Sequence, residues 1–189
     1  MELISEEYKT PFGDLILGAF NSELVLCDWK QRKTRAAIDR RVKEGVYAMS
    51  RDTRFSEASL KTNQEDNVAI INKTKIQLDE YFNGTRTKFD IPVRAIATNF
   101  QQKVWMALCD IPYGETRSYL ELSLELGNIK AIRAVASANG ANALSILIPC
   151  HRITGSNGEL MGYAGGLNAK KKLLELENPN MISQQLDLF

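Results

Sequence analysis

Three short stretches rich in strand-forming residues open the chain: Leu3–Lys9, Asp14–Ala19 and Leu24–Trp29. The turn clusters Thr10-Pro11-Phe12-Gly13 and Asn21-Ser22-Glu23 separate them, so the pattern predicts a small antiparallel meander. From Lys30 to Arg54 the chain is dominated by Lys and Arg, against Asp39, Glu44 and Asp52. That stretch reads as a solvated helix and loop rather than a phosphate-facing surface. The period then changes: Val68, Ile71, Leu78 and Phe82 fall near one face of a helix over Asn67–Asn83, with Gly84 as its stop. Thr85–Pro92 leads out through an X-Pro step, which disfavours helix and marks a boundary. The expected organisation is one lobe over residues 1–91, a second over 92–177 and a flexible tail over 178–189.

In the second lobe Phe100, Val104 and Leu108 recur at helical spacing and predict a helix over Asn99–Cys109 with one buried stripe. The spacing leaves the role of Cys109 open; an inert core residue is the preferred expectation. Pro112-Tyr113-Gly114 is the turn after it. Ser118-x-x-Glu121 is a capping box opening the next helix, which stops at Gly127. After the Gly127-Asn128 break comes a helix over Ala131–Asn139 made of small residues (Ala131, Ala134, Ala136, Ser137, Ala138), ended by Gly140. Two short helices around a glycine-containing turn match the helix-turn-helix pattern. A helix this thin lets backbone approach a narrow minor groove, with Arg133 as the one long cation on it. Composition alone favours the plainer alternative, a tightly packed core helix whose arginine points to water.

Composition sets the class. Hydrophobic residues are 44% and charged residues 25%, enough to bury a core and far from a disordered chain. The balance of 24 Lys+Arg against 23 Asp+Glu excludes a polybasic nucleic-acid coat but not a local DNA-binding face. No apolar run approaches the roughly 18–20 residues that span a bilayer, and the start carries Glu2, Glu6 and Glu7 instead of a secretory signal. Three cysteines do not read as a disulfide framework. The expectation is a cytoplasmic protein with free thiols.

The chemistry concentrates in one place. Leu144–Ile148 reads as a buried strand closed by Pro149, delivering Cys150, His151 and Arg152 onto a turn. His151 is the only histidine in the chain. A thiol becomes a useful nucleophile when a base or a positive field stabilises its thiolate. Adjacent side chains project apart, so His151 would take the Cys150 proton more easily through a water than directly. The base then needs an orienter on its other nitrogen, and Glu177, ending a helix over Leu167–Glu177, is a candidate.

Ile148-Pro149-Cys150-His151-Arg152, preceded by Arg133-Ala134-Val135 and Asn142, resembles the O6-alkylguanine-DNA alkyltransferases, suicide repair proteins that take an alkyl group onto their own cysteine. The likeness extends through Phe100-Gln101-Gln102-Lys103-Val104-Trp105, Ile111-Pro112-Tyr113-Gly114-Glu115-Thr116, Ser118-Tyr119 and Gly162-Tyr163-Ala164-Gly165-Gly166-Leu167 to Glu177. It covers roughly the whole second lobe.

The resemblance implies an α+β fold, with a small ribonuclease-H-like N-terminal lobe followed by a helix-turn-helix, winged-helix-like domain holding the DNA-binding surface and the active site. It implies single-turnover transfer of a methyl or larger alkyl group from O6-alkylguanine, and less readily O4-alkylthymine, in double-stranded DNA. Cys150 would be the acceptor, activated through water by His151, with Glu177 orienting His151 and Asn142 supporting the turn. Tyr119 would protonate the departing guanine and lie at the DNA surface with Ala134 and Ser137. Arg133 would enter the stack vacated by the flipped nucleotide, since a base inside a duplex must be extruded before attack. Tyr163, Ala164 and Ile153 would line the guanine pocket. No cofactor is implied. The structural zinc of some members should be missing, because the first lobe has only Cys27 and no histidine. The extra amino-terminal four-cysteine metal domain of transcription-activating relatives should be missing too, and Met161 stands where close bacterial relatives often carry a small or polar residue.

The end of the chain, Gln185-Leu186-Asp187-Leu188-Phe189, resembles the short peptides by which bacterial proteins bind the DNA polymerase sliding clamp. The alternative is a strap folded onto its own core. The protein itself is expected to be a monomer without membrane contact. Two other functions compete: a non-catalytic lesion-binding module, which the presence of Cys150 disfavours, and a thiol hydrolase, which needs an oxyanion hole that the sequence does not reveal.

Overall fold

Two tight turns shape the first half of the chain. The computed structural model describes residues 3–51 and 64–180. Strands β1 (Ile4–Thr10), β2 (Gly13–Phe20) and β3 (Glu23–Trp29) form an antiparallel sheet in the order β1-β2-β3. Asn21 and Ser22 both take positive φ, 53° and 60°, the geometry that joins twisted antiparallel strands in two residues. Register pairs Glu6 with Leu17 and Tyr8 with Leu15, so these four share one face, while Glu7 and Ile16 share the other. Helix α2 (Gln64–Phe82) packs on the first face, where Tyr8 donates to Asp79 and Lys75 to Glu6. Helix α1 (Arg35–Ser50) lies on the second, its Val42 and Lys43 closing a cavity of about 330 Å³ with Ile16 and Leu26. The sheet is therefore covered by a helix on each side.

The buried stripe of α2 is not the apolar one that the spacing predicts. Val68 is exposed and Phe82 only half-buried, while Asn67, Ile71, Thr74, Gln77, Leu78 and Tyr81 point inward. The polar members are buried because each completes a hydrogen bond: Asn67 Oδ1 accepts the Ser22 amide at 2.9 Å, and Gln77 Oε1 the Asp90 amide at 3.1 Å. Gly84 does follow the helix, at φ +72°.

The chain divides into two compact units, Met1–Ile96 and Ala97–Phe189. The division lies beyond the Ile91–Pro92 step because the backbone there still belongs to the sheet. Leu24 N–H donates to Pro92 O at 2.8 Å, and Arg94 N–H to Leu24 O at 2.9 Å.

The second unit is mainly helical. Helix α3 (Asn99–Cys109) opens with a capping box between Thr98 and Gln101. Its buried residues are Val104, Trp105 and Leu108; Phe100 is exposed, because Trp105 turns inward instead and donates from Nε1 to Ala138 O at 2.8 Å. Cys109 is exposed, at the end of the helix where the chain leaves the core. Strand β4 (Arg117–Ser118) leads into α4 (Tyr119–Glu125), capped by the Ser118–Glu121 box. After Gly127 a single 3-10 turn over Ile129–Ala131 precedes α5 (Ile132–Gly140), so α4 and α5 form the helix-turn-helix. Val135, Ala138 and Asn139 face in, and Arg133, Ala134 and Ser137 face out.

Leu144–Ile148 is buried, but it is not a strand. Ile148 N–H returns to Leu144 O at 2.8 Å, and Ile146 at its tip has φ 74°, a strained value for a β-branched residue. Strand β5 (Ile153–Thr154) pairs in parallel with β4, and α6 (Gly166–Glu177) completes the unit. Among the described residues no helix is long and apolar enough to cross a membrane.

Candidate active site

Asn142 holds the strained turn together. Its Oδ1 accepts the Leu144 amide at 2.9 Å, and its Nδ2 donates to Ile148 O at 2.9 Å and to Cys150 Sγ at 3.2 Å. The side chain thus takes the place of a partner strand and aims a donor at the sulfur. Pro149 then starts a 3-10 turn over Cys150–Arg152, closed by Arg152 N–H to Pro149 O at 3.0 Å. All three residues of that turn are buried.

Glu177 arrives from the end of α6 and reaches His151, its Oε1 lying 2.8 Å from Nε2. It also receives a two-pronged arginine: Arg152 Nε to Oε2 at 2.8 Å and Nη2 to Oε1 at 3.0 Å. Gly114 N–H adds a fourth contact to Oε2 at 3.2 Å. Gly114 sits at φ +80°, and a Cβ there would lie 2.9 Å from the Glu177 carbonyl, so this turn needs glycine. Arg152 Nη1 donates to Ile111 O at 2.7 Å, and its guanidinium lies 5.7 Å from the Tyr113 ring centre.

These contacts decide the charges. Burial pushes the Glu177 carboxyl up, but hydrogen bonds and charge from His151 and Arg152 outweigh it and hold it well below the ordinary carboxylate range. Burial pulls His151 down more strongly than Glu177 pulls it up, so the imidazole is neutral near pH 7. An ionised Glu177 can only accept, which assigns the imidazole proton to Nε2. The other nitrogen, Nδ1, is buried without a hydrogen-bond partner among the described residues and carries the lone pair.

Tyr119 is half-buried at the start of α4, its hydroxyl accepting from Asn139 Nδ2 at 3.3 Å. Burial and then the charge of Cys150 push its phenol up, so it stays protonated as a proton donor must. The Tyr163 ring lies 6.3 Å from that of His151, nearly edge-on. Ala164 is half-buried and Ile153 fully buried. Arg133, Ala134 and Ser137 lie together on the outer face of α5. Residues Gln185, Leu186, Asp187, Leu188 and Phe189 lie outside the described residues.

Two side chains belong to this neighbourhood that the sequence reading assigned no role. Arg152 binds Glu177, and Lys170 of α6 is fully buried, donating to Ile153 O and to Met161 O, the latter at 2.8 Å. Position in the helix could have revealed Lys170: it shares the buried face of α6 with Leu173, Leu174 and Glu177, at spacings of three, four and seven.

Comparison with known proteins agrees along both units. Residues 3–95 match the ribonuclease-like domain of 6-O-methylguanine DNA methyltransferase, and residues 99–179 match its DNA binding domain. A methylated-DNA–protein-cysteine methyltransferase of Methanosarcina barkeri is 47% identical over 116 residues, 61% of this chain and 73% of that one. That of Mycobacterium bovis is 54% identical over 101 residues, 53% of this chain and 61% of its own length. Among solved structures, the O6-methylguanine methyltransferase of Mycobacterium tuberculosis superposes with a TM-score of 0.70 at 33% identity, covering 94% of each chain. The M. tuberculosis OGT structure in complex with DNA gives 0.72 at 34%, covering 93% of this chain and 92% of that one.

Proposed function

The chain belongs to the 6-O-methylguanine DNA methyltransferase family, and on that premise we propose that it repairs alkylated DNA by moving the alkyl group from O6 of guanine onto its own Cys150. The observation that carries the reading is the line of contacts from Asn142 to the Cys150 sulfur and, beside it, from His151 to Glu177. A nucleophile, a neutral base and an ionised orienter stand in sequence there.

The reaction follows from those parts. His151 Nδ1 accepts the thiol proton through one water, and the Asn142 amide stabilises the thiolate. Sulfur attacks the alkyl carbon in line; the S–C bond forms as the C–O6 bond breaks, and the electron pair leaves on guanine. Tyr119 supplies a proton to the base and regains one from His151, so the thiol proton ends on guanine in net terms. The product thioether leaves no way to regenerate the thiol, hence one turnover. O4-alkylthymine presents the same bond and is the lesser substrate.

The partner is double-stranded DNA, met by α5 with Ala134, Ser137 and Tyr119 at the surface. Arg133 fills the stack when the nucleotide is flipped into a pocket walled by Tyr163, Ala164 and Ile153. The protein works as a cytoplasmic monomer, and Gln185–Phe189 docks it to the polymerase sliding clamp. A clamp pull-down unchanged by removing those five residues would reject that docking.

The deciding experiment mixes the protein with duplex DNA bearing one O6-methylguanine and follows intact mass and peptide maps. One methyl on Cys150, restored DNA and no second turnover are expected, with Cys150→Ser still binding DNA but transferring nothing. An unmodified protein that still binds the lesion would replace this reading with a non-catalytic one. Arg133→Ala should slow repair in duplex DNA more than reaction with free O6-alkylguanine; equal loss on both would remove the stacking role.

A further inference from the structure

Asn139 lies on the inner face of α5 with Val135 and Ala138, and only 4% of its surface is exposed. An apolar side chain would suit that face, and an amide there is costly. Its Nδ2 donates to the Tyr119 hydroxyl at 3.3 Å. Its Oδ1 is buried and has no hydrogen-bond partner among the described residues. An unpaired buried carbonyl costs stability that Leu or Met in the same place would not. Packing therefore does not explain this residue, whereas its bond to Tyr119 does. A phenol oxygen has one proton to give and two lone pairs with which to accept. The Asn139 donor occupies one lone pair, so the Tyr119 proton turns away from α5 and stays available to another acceptor. An apolar residue would let the hydroxyl rotate, and an inward-facing carbonyl would capture its proton.

We propose that Asn139 is a positioning residue for proton donation: it holds the Tyr119 hydroxyl as an acceptor on the α5 side, so that the O–H is aimed at the departing base. The inference rests on Tyr119 being the donor to guanine, and it names what aims that donor. In the step itself guanine takes the proton with the electron pair left by the cleaved C–O6 bond. The O–H pair stays on the phenol oxygen until His151 returns a proton. During that interval the Asn139 N–H meets a negative charge and bonds more strongly. Asn139 thus opposes the burial and the Cys150 charge that resist ionisation of this phenol. Ser123, one turn along α4, donates to the Tyr119 backbone carbonyl at 2.7 Å, so it steadies the backbone and not the phenol.

The test compares two methyl donors that differ in what the leaving group needs. O6-methylguanine in duplex DNA leaves as a base that takes a proton; iodomethane leaves as iodide, which takes none. Asn139→Leu should slow transfer from O6-methylguanine to Cys150 about tenfold, with methylation of Cys150 by iodomethane and affinity for the duplex both unchanged. In a Tyr119→Phe background the same substitution should add no further loss. Equal slowing with both donors, no slowing with O6-methylguanine, or a full additional loss in Tyr119→Phe overturns the proposal. Where Asn139→Leu does not fold, the unsubstituted protein decides by NMR: the Asn139 side-chain amide signal should shift as Tyr119 ionises at high pH, and should not in Tyr119→Phe. A signal that ignores Tyr119 overturns the proposal. That titration needs no alkylguanine, so a protein whose Asn139 follows Tyr119 yet leaves O6-methylguanine DNA untouched would refute the repair reading and not the coupling of these two residues.

Discussion

Among the described residues two carboxylate side chains are fully buried, one in each unit, and both lie against an arginine. Their fates are opposite. Asp28 in the first unit receives Arg32 Nη1 at 3.1 and 3.0 Å from its two oxygens, and among the described residues Arg35 lies farther off, at 3.9 Å. Burial wins there and raises the carboxyl above its ordinary range, against the pull of Arg32, Arg35 and the Trp29 amide. Glu177 in the second unit receives two separate guanidinium nitrogens on two separate oxygens, plus His151 and the Gly114 amide, and burial loses. An arginine neighbour does not by itself make a buried carboxylate a good anion. The directed donors on each oxygen do, and the second unit concentrates them where His151 must be held in one tautomer.

Neutralising each acid in turn should separate the two sites most strongly. Glu177→Gln leaves Arg152 buried without an anion and lets His151 rotate or change tautomer. It should cost about 3–5 kcal/mol in denaturant melts and slow methyl transfer sharply. Asp28→Asn removes a carboxylate already biased toward its neutral form. It should cost about 1–3 kcal/mol and leave the transfer rate alone. Equal costs in the two melts would mean that donor geometry is not what separates the sites.

The arginines sharpen the same point at smaller scale. All three guanidinium nitrogens of Arg152 are engaged, Nε and Nη2 on Glu177 and Nη1 on Ile111 O. Lysine cannot reproduce that fork, so Arg152→Lys should cost about 2–3 kcal/mol, with slower transfer. Arg32 places Nε on Thr34 Oγ1 at 2.9 Å and Nη1 on Asp28, a more replaceable arrangement. Arg32→Lys should cost about 1 kcal/mol, without kinetic effect.

How much of this could be read in the sequence depends on what each side chain binds. The meander, the Ser118–Glu121 cap and the helix-turn-helix follow from turn residues and local spacing, which act within a few residues and so leave a local trace. Glu177 could be named as a partner for His151, but its reach depends on how the Cys150–Arg152 turn and α6 pack, which spacing does not encode. Val68 and Phe100 fit their apolar periods yet face solvent. Asn67 and Trp105 displace them through hydrogen bonds to Ser22 and Ala138, contacts remote in sequence. Leu144–Ile148 looks like a strand because a short apolar run means only burial; the side chain of Asn142 substitutes for the missing strand partner. Arg152 and Lys170 hide for a related reason. Charged residues inside apolar segments are the signal, but the partners that justify them appear only in three dimensions.

The smallest effect lies in the pH dependence of stability, and it separates the acids by sign. Glu177 is held below its unfolded range, so its contribution is complete above roughly pH 5 and is lost as pH falls through the native value. His151, lowered by burial, acts in the same direction: its contribution is present above roughly pH 6.5 and declines as acid charges the unfolded imidazole. Asp28 is raised, so its contribution is complete below roughly pH 4 and disappears as pH rises through its native value. Acidification should therefore destabilise the protein through the second unit while the first partly offsets the loss. Melts between pH 7 and pH 4 should show a shallower acid slope for Glu177→Gln than for the unsubstituted protein, and a steeper one for Asp28→Asn, each change amounting to about 1 kcal/mol over the range. Slopes altered in the same direction by both substitutions would contradict the opposite charge preferences of the two acids, and with them the assignment of a fixed, ionised Glu177 behind His151.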